Sequence, residues 1–461
     1  MQAAAPFPCP LWQRSRCFSA CCYSTWFTHN SLRSSNVGQS INRNKCRDSI
    51  AFGRTFTCCS SLSSKEEHKL EPAEEEVDFV SRMDFAAGSP EANRQHPWDP
   101  HKPSYTPLLP KSIRPYPSFE GWFLRLVDFV NGVSVGVIMA TNYATAESQV
   151  TFLFSFSTDV GADAGITQGC TYSVYARSKE SNLLCLPPAK LEDSTSSNEP
   201  KGFEWELPNV GRIVSHPNET YVDVTLAGYN FKSHMFNEVF WDACDTERGP
   251  EGWARYISIL PTHWYVYSLG SQATYELSND EKGLRIEGRG LAHQEKNWGE
   301  TFPAGHVWMQ AFSPDNQSQL VLSGAFFKVG GSVDTPYIFA MGFRSPDLNI
   351  NMRTNDPGVL FKDFEVVPSA RSFAVRAIGP SHTLQIRCSA PPASFSDPLL
   401  CPIQKVNWKP ACRESYSGKA EIDIFEHIAW GVIGNPKFIR SQVFDHVGLE
   451  FGEDLMQETE N

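Results

Sequence analysis

The sequence predicts an all-β protein: two antiparallel barrels or a pair of sandwiches in tandem, behind a separate N-terminal extension. Three observations predict it. Apolar residues recur at every second position through most of the chain after residue 105, turn-forming clusters interrupt those runs, and no long helical period intervenes. Of 461 residues, 41% are apolar and 12% aromatic, so the body can bury large cores. A net charge of -12 argues against a basic nucleic-acid groove. The longest apolar runs, such as 132–140 and 151–156, fall short of the roughly 18 residues that span a bilayer.

The extension differs from the rest in charge. Residues 1–60 hold seven basic residues against one acid, Asp48, giving +6, so the remainder carries -12 - 6 = -18. The segment is rich in Ser, lacks the apolar core of a secretory signal, and contains seven of the 13 cysteines without metal-ligand spacing. It reads as an organelle transit peptide of plastid type. Residues 61–104, with the charge-dense run from Lys65 to Glu76 and a Pro-containing stretch, read as an acidic linker with one short helix near Val77–Met83.

The folded body is expected from residue 105. Phe152, Phe154 and Phe156 alternate with Leu153 and Ser155; Val222, Val224 and Leu226 with Asp223 and Thr225; Ile422 and Ile424 with Glu421 and Asp423. Those are half-buried strands. Turns are expected at Ser278-Asn279-Asp280, Asn355-Asp356-Pro357-Gly358 and Ser415-Tyr416-Ser417-Gly418. The 176-residue separation of Trp122 and Trp298 suggests one barrel length, each Trp marking an opening strand. The body should therefore divide into 105–270 and 271–450, with an acidic tail over 451–461.

Nucleotide-binding, nucleophile-elbow and zincin motifs are absent. What remains are clusters of Trp, acid and amide: Phe119-Glu120-Gly121-Trp122, His263-Trp264, and His293-Gln294-Glu295-Lys296-Asn297-Trp298-Gly299 leading to Trp308 and Gln310.

Together with Pro261-Thr262 and Ala411-Cys412-Arg413-Glu414-Ser415-Tyr416-Ser417-Gly418, these elements are similar in kind and order to the tocopherol cyclase family, over about residues 115–430. The Glu-Lys-Asn-Trp-Gly element is the most specific part. The resemblance implies two lipocalin-like β-barrels in a plastid enzyme of plastoglobule or stroma, which closes the chromanol ring from a phytylated quinol. Its partner would be a prenyl-quinol lipid, with peripheral contact to a lipid surface and no nucleic acid.

That chemistry sets requirements. A proton must reach the less substituted alkene carbon, and the phenol oxygen must capture the tertiary cation. Neither a cofactor nor a metal is called for. The donor must be a carboxylic acid held neutral by an apolar pocket. Aromatic faces stabilise the cation by about 2 kcal/mol when desolvated, and water must be kept away from it. Glu295 is the candidate proton donor, with a structural ion pair to Lys296 or an Arg as its other reading; Glu120 carries the same two readings. His293 could take the phenolic proton and Asn297 could bind a quinol hydroxyl, or each could be a satisfied polar group in a strand. Trp122, Trp264, Trp298 and Trp308 are core aromatics or pocket lining. On the same scaffold, a lipid carrier would lack a competent acid facing the cavity, and an isoprenoid hydratase would capture the cation with water.

Overall fold

Period-two patterning becomes period-two burial wherever a strand has one face in solvent. In β8 (Glu219–Leu226), Thr220, Val222, Val224 and Leu226 are buried while Tyr221, Asp223 and Thr225 are exposed. The computed structural model describes residues 118–143, 145–186, 202–216, 219–241, 249–257, 260–315, 317–329, 333–403 and 407–456, all within one compact unit. The expected transit peptide, linker and short helix at residues 1–104 lie outside the described residues. Among these, strands and short 3-10 turns make up the regular structure, and no helix is long and apolar enough to cross a membrane.

Two large antiparallel sheets account for the body. The first contains β1 (Phe119–Asp128), β2 (Val133–Asn142), β3 (Glu147–Phe156), β4 (Thr171–Ser178), β5 (Asn182–Leu186), β6 (Gly202–Leu207), β7 (Gly211–His216), β8, β9 (Tyr229–Phe236), β10 (Thr262–Asn279) and β11 (Leu284–Gly299). Their order is β4-β3-β2-β1-β11-β10-β9-β8-β7-β6-β5. The sheet curls toward closure: Trp205 of β6 donates its indole N–H to Thr141 Oγ1 of β2 at 3.0 Å, across a core shared by Trp122, Phe152, Phe231 and Leu277.

The second sheet begins with β12 (Gly305–Phe312) and β13 (Gln319–Phe326). A two-residue ribbon, β14 (Lys328–Val329) and β15 (Val333–Asp334), precedes β16 (Ile338–Arg344), β17 (Asn349–Arg353), β18 (Leu360–Val367), β19 (Ser372–Ile378), β20 (His382–Ser389), β21 (Leu399–Ile403), β22 (Asn407–Ile428) and β23 (Ile433–Glu453). Its order is β17-β16-β13-β12-β23-β22-β20-β19-β18, with β21 beside β22. Phe339 of β16 stacks on Phe361 of β18, which brings the two ends of this sheet together as well.

Four expectations are corrected. The sheets change between Gly299 and Gly305; residues 270 and 271 lie inside β10, which must run on to Asn279 to form its hairpin with β11. Trp298 consequently marks the last strand of the first sheet, where it pairs with Glu120 in register, and the second sheet opens on Trp308. Ser415–Gly418 is a bulge inside β22, with register shifts against β23 at Ser415/Gly418 and Gly418/Ala420. The proposed acidic tail begins later than residue 451, since β23 pairs through Glu453 with Gly305.

A further difference concerns β3. Phe152, Phe154 and Phe156 face the first core, yet Leu153 and Ser155 are buried too. The outer face of β1–β3 and of the C-terminal half of β11 packs against strands of the second sheet, so β1–β3 have no solvent face. Leu153 meets Tyr416, Leu399 and Cys412 there, while Phe123 and Val266 meet Trp308 and Val321. Glycine makes the approach possible. A Cβ at Gly136 would lie 1.8 Å from the Tyr416 hydroxyl, and one at Gly448 would lie 2.7 Å from Arg125 Nε.

Candidate active site

Strand parity divides the most specific motif into two. On β11, His293, Glu295 and Asn297 point into the seam between the sheets, whereas Lys296 and Trp298 point toward the core of the first. On β1 the same rule sends Gly121, Phe123 and Arg125 to the seam and Glu120, Trp122 and Leu124 inward. Lys296 therefore meets Glu120, not Glu295. Its Nζ lies 2.7 Å from Glu120 Oε2 and over the rings of Trp122 and Trp298, at 5.4 and 5.2 Å from their centroids. The Tyr143 hydroxyl donates to Glu120 Oε1 at 2.9 Å. This is a buried ion pair satisfied on both sides, and it gives Glu120 the structural one of its two readings.

In the seam lies a cavity of about 420 Å³, within the size range of small-molecule sites. Its walls come from both sheets and are largely apolar and aromatic, including Phe123, Ile138, Trp264, Trp308 and Phe339. Glu295 opens onto it and is 4% exposed. Trp308 Nε1 donates to Glu295 Oε2 at 3.1 Å, His293 Nε2 lies 2.9 Å from the same oxygen, and Asn297 Nδ2 donates to Oε1 at 3.3 Å. One carboxyl is thus aimed by two residues of its own strand and by an indole from the opposite sheet.

Of the residues singled out from sequence, Glu295, Asn297, Trp264, Trp308 and Trp122 line this cavity. Trp122 does so only marginally, since its ring stacks on Phe203 inside the first core at 5.0 Å. Glu120, His293 and Trp298 do not line it. His293 is wholly buried behind Glu295, which removes it as a direct acceptor of a substrate proton. Trp298 stacks on His263 at 5.1 Å, on the other face of β11.

Sequence reasoning missed three cavity residues. Glu251 accepts the backbone N–H of Trp264 at 2.7 Å through Oε1 and lies 2.9 Å from His263 Nδ1 through Oε2. Glu450 of β23 and His306 of β12 are joined through Glu450 Oε1 and His306 Nε2. A signal for the second pair exists in the alternation Gly448-x-Glu450-x-Gly452, an acid flanked on one strand face by glycines that admit another surface closely.

Behind Glu450 the seam carries buried charge. Glu414 of β22 pairs in register with Glu450 and is fully buried. Burial pushes its carboxyl well above the ordinary range, the charge of Glu450 adds to that, and Arg125 opposes it. Arg125 is also fully buried, and burial lowers it to about 10 against the pull of Tyr416 and Glu414. Its guanidinium donates to the Gln310 side chain and to the His446 carbonyl, bridging the first sheet to two strands of the second.

No curated protein sequence matches the chain. Among solved structures, an AttH protein of Nitrosomonas europaea is similar at 10% identity and TM-score 0.40, over 73% of this chain and 92% of that one. CghA is similar at 9% identity and TM-score 0.46, over 72% and 87%. Kievitone hydratase of Nectria haematococca is similar at 11% identity and TM-score 0.35, over 72% and 88%. The tocopherol cyclase-like family matches residues 116–453, a span that takes in both sheets and the seam between them, and the chain belongs to that family.

Proposed function

We propose that the seam cavity is the active site of a prenyl-quinol cyclase, in which Glu295 protonates the alkene and the phenol oxygen captures the resulting tertiary cation to close a chromanol ring. The observation that carries this reading is the Glu295 carboxyl, aimed by Trp308, His293 and Asn297 and opening onto a cavity walled by aromatic rings. A developing cation near Trp264, Trp308 and Phe123 gains from their quadrupoles, and the largely apolar walls offer few partners to a water that would capture it. Family membership supports the same class of chemistry. A lipid carrier on this fold would need the apolar cavity but no aimed carboxyl, and a hydratase would admit water to the cation. The substrate is a prenylated quinol taken from a lipid phase. Residues 1–60 act as a plastid address.

The test is incubation of the full-length protein with phytyl benzoquinols, followed by chromatography for chromanol. Chromanol formed by the wild type and lost in Glu295→Gln supports the reading. A tertiary alcohol as product selects the hydratase, and unchanged quinol recovered bound to the protein selects the carrier. A fluorescent fusion of residues 1–60 that stays in the cytosol would remove the plastid assignment.

A further inference from the structure

Ring closure releases the phenolic proton as well as consuming one at the alkene, and where the proton and the phenol oxygen add to opposite faces of the alkene, the released proton is taken by a base distinct from Glu295. His293 cannot supply it, being wholly buried behind Glu295. Glu251 uses one oxygen on the Trp264 N–H and the other beside His263, which fixes it as a strut of the cavity mouth. We infer that Glu450, held in place by His306, is the base that takes the phenolic proton, so that the two sheets each contribute one half of the acid–base machinery. This rests on the reading of the seam as a cyclase site.

The geometry carries the assignment. Glu450 and His306 both line the cavity, and the bond between Glu450 Oε1 and His306 Nε2 orients the carboxylate as an imidazole–carboxylate pair. In the sheet, Glu450 lies beside Trp308 in register, and the Trp308 indole reaches across to Glu295. The acid and the base thus stand on opposite walls, with one indole between them. Glu414 is the cross-strand neighbour of Glu450 on its other side. Two adjacent carboxyls do not both ionise cheaply, and burial together with the neighbouring Glu450 pushes the Glu414 carboxyl well above the ordinary range, against the pull of Arg125. Among the described residues, the other charged or titratable groups of this part of the seam are Arg125 from β1, Glu295 from β11, His306 from β12, and Cys412 and Tyr416 from β22.

The step balances without an added reagent. The Glu295 O–H bond breaks as the new C–H bond forms at the alkene, the phenol oxygen bonds to the tertiary carbon, and the phenolic O–H proton passes to Glu450. Glu295 ends as the carboxylate and Glu450 as the acid. When product leaves, water returns the proton from one to the other, and the net reaction is an isomerisation.

The experiment compares wild type and Glu450→Gln in the full-length chain, with kcat measured from pH 6 to 10 on a prenyl quinol and on a fluorinated, more acidic analogue. The variant should lose about 10²-fold in kcat at neutral pH. It should recover progressively as pH approaches the phenol's own ionisation, and recover earlier with the fluorinated quinol, because the substrate then sheds its proton unaided. A residue with a merely structural role would lower the rate equally at every pH and with both quinols. That result, or wild-type kcat in the variant, overturns the inference. Absence of chromanol from wild type refutes the cyclase reading, and a second measurement then still tests Glu450. A prenylated nitrophenol, whose absorbance reports its ionisation, should ionise at lower pH when bound to Glu450→Gln than to wild type, since the variant removes a negative charge beside the phenol. An unchanged midpoint overturns the assignment. If Glu450→Gln does not fold, Glu450→Asp, which keeps the charge and withdraws it by one methylene, takes its place in both measurements with smaller changes in the same directions.

Discussion

The core of the first sheet and the seam outside it handle buried charge in opposite ways. Inside, Lys296 and Glu120 neutralise one another at 2.7 Å, between two indole rings and a tyrosine hydroxyl. In the seam, the fully buried Glu414 stands beside Glu450 with Arg125 as its cationic neighbour, while Glu295 and Glu450 lie against the imidazoles of His293 and His306. The first arrangement holds a sheet together. The second sets Glu414 beside a like charge, and burial together with that charge holds its carboxyl well above the ordinary range, the kind of perturbation that gathers at acid–base sites. Residues adjacent in sequence, Glu295 and Lys296, fall on the two sides of this division because a strand alternates.

The largest effects should come from breaking the core pair. Lys296→Met leaves Glu120 buried with only the Tyr143 hydroxyl, and Glu120→Gln leaves the ammonium among aromatic rings. Each should lower unfolding free energy by about 3 to 5 kcal/mol, as for other buried pairs that lose one partner. Denaturant unfolding measures this, and the folded fraction should still turn over.

Glu295→Gln should behave the other way. Its shape and much of its hydrogen bonding survive while the transferable proton is gone, so turnover should fall by about 10²-fold or more with little change in unfolding midpoint. A stable Glu295→Gln protein of full activity would erase the distinction between core and seam for this motif.

A third prediction concerns the proton on Glu414. Its folded carboxyl titrates above its unfolded value of about 4.3. Between those two values the native state holds a proton that the unfolded state has released. Stability contributed by this group is therefore full below about pH 4.3 and declines as pH rises, by up to about 1.4 kcal/mol per pH unit within that window. Glu414→Gln does not titrate, so its stability relative to wild type should improve from pH 5 to pH 8. A variant that instead loses ground as pH rises would place an ionised Glu414 against Arg125.

How much of this was legible in the sequence follows from the same division. The alternation in β8 could be read because solvent meets one of its faces, and Glu295 stood out in a dense motif. β3 could not be read as doubly buried, because its second face is covered by strands some 250 residues further along the chain. Parity separates Glu295 from Lys296, yet no local pattern says which side is core and which is seam. Glu450 escaped notice because its partners, His306 and Glu414, reach it only through the pairing of β12, β22 and β23. The sheet boundary was misplaced for a related reason: Trp298 and Trp122 look like equivalent landmarks of two barrels, whereas β1 and β11 pair with each other.

The smallest expected effect is also the most direct probe of how rigidly the sheets are locked. Gly136 of β2 lies under the Tyr416 hydroxyl, where an added Cβ would sit 1.8 Å from Oη and 2.9 Å from Cζ. Tyr416 cannot swing aside: it is 1% exposed, packed among Leu153, Leu399 and Cys412, with Arg125 5.0 Å above its ring. Gly136→Ala should therefore pry the sheets apart locally and cost about 1 to 3 kcal/mol, in the range of overpacked cores. Tyr416→Phe removes the closest atom and leaves the contact with Cζ, at 2.9 Å, as the main remaining overlap. The double variant should then be more stable than the sum of the single changes by about 1 kcal/mol. Chromanol formation should follow the same cycle, falling in Gly136→Ala as Trp308 is displaced from Glu295 and recovering in the double variant. Strict additivity in stability would mean that the seam yields at this contact, and that the positions of Glu295 and Glu450 across the cavity are not fixed by the close packing of the two sheets.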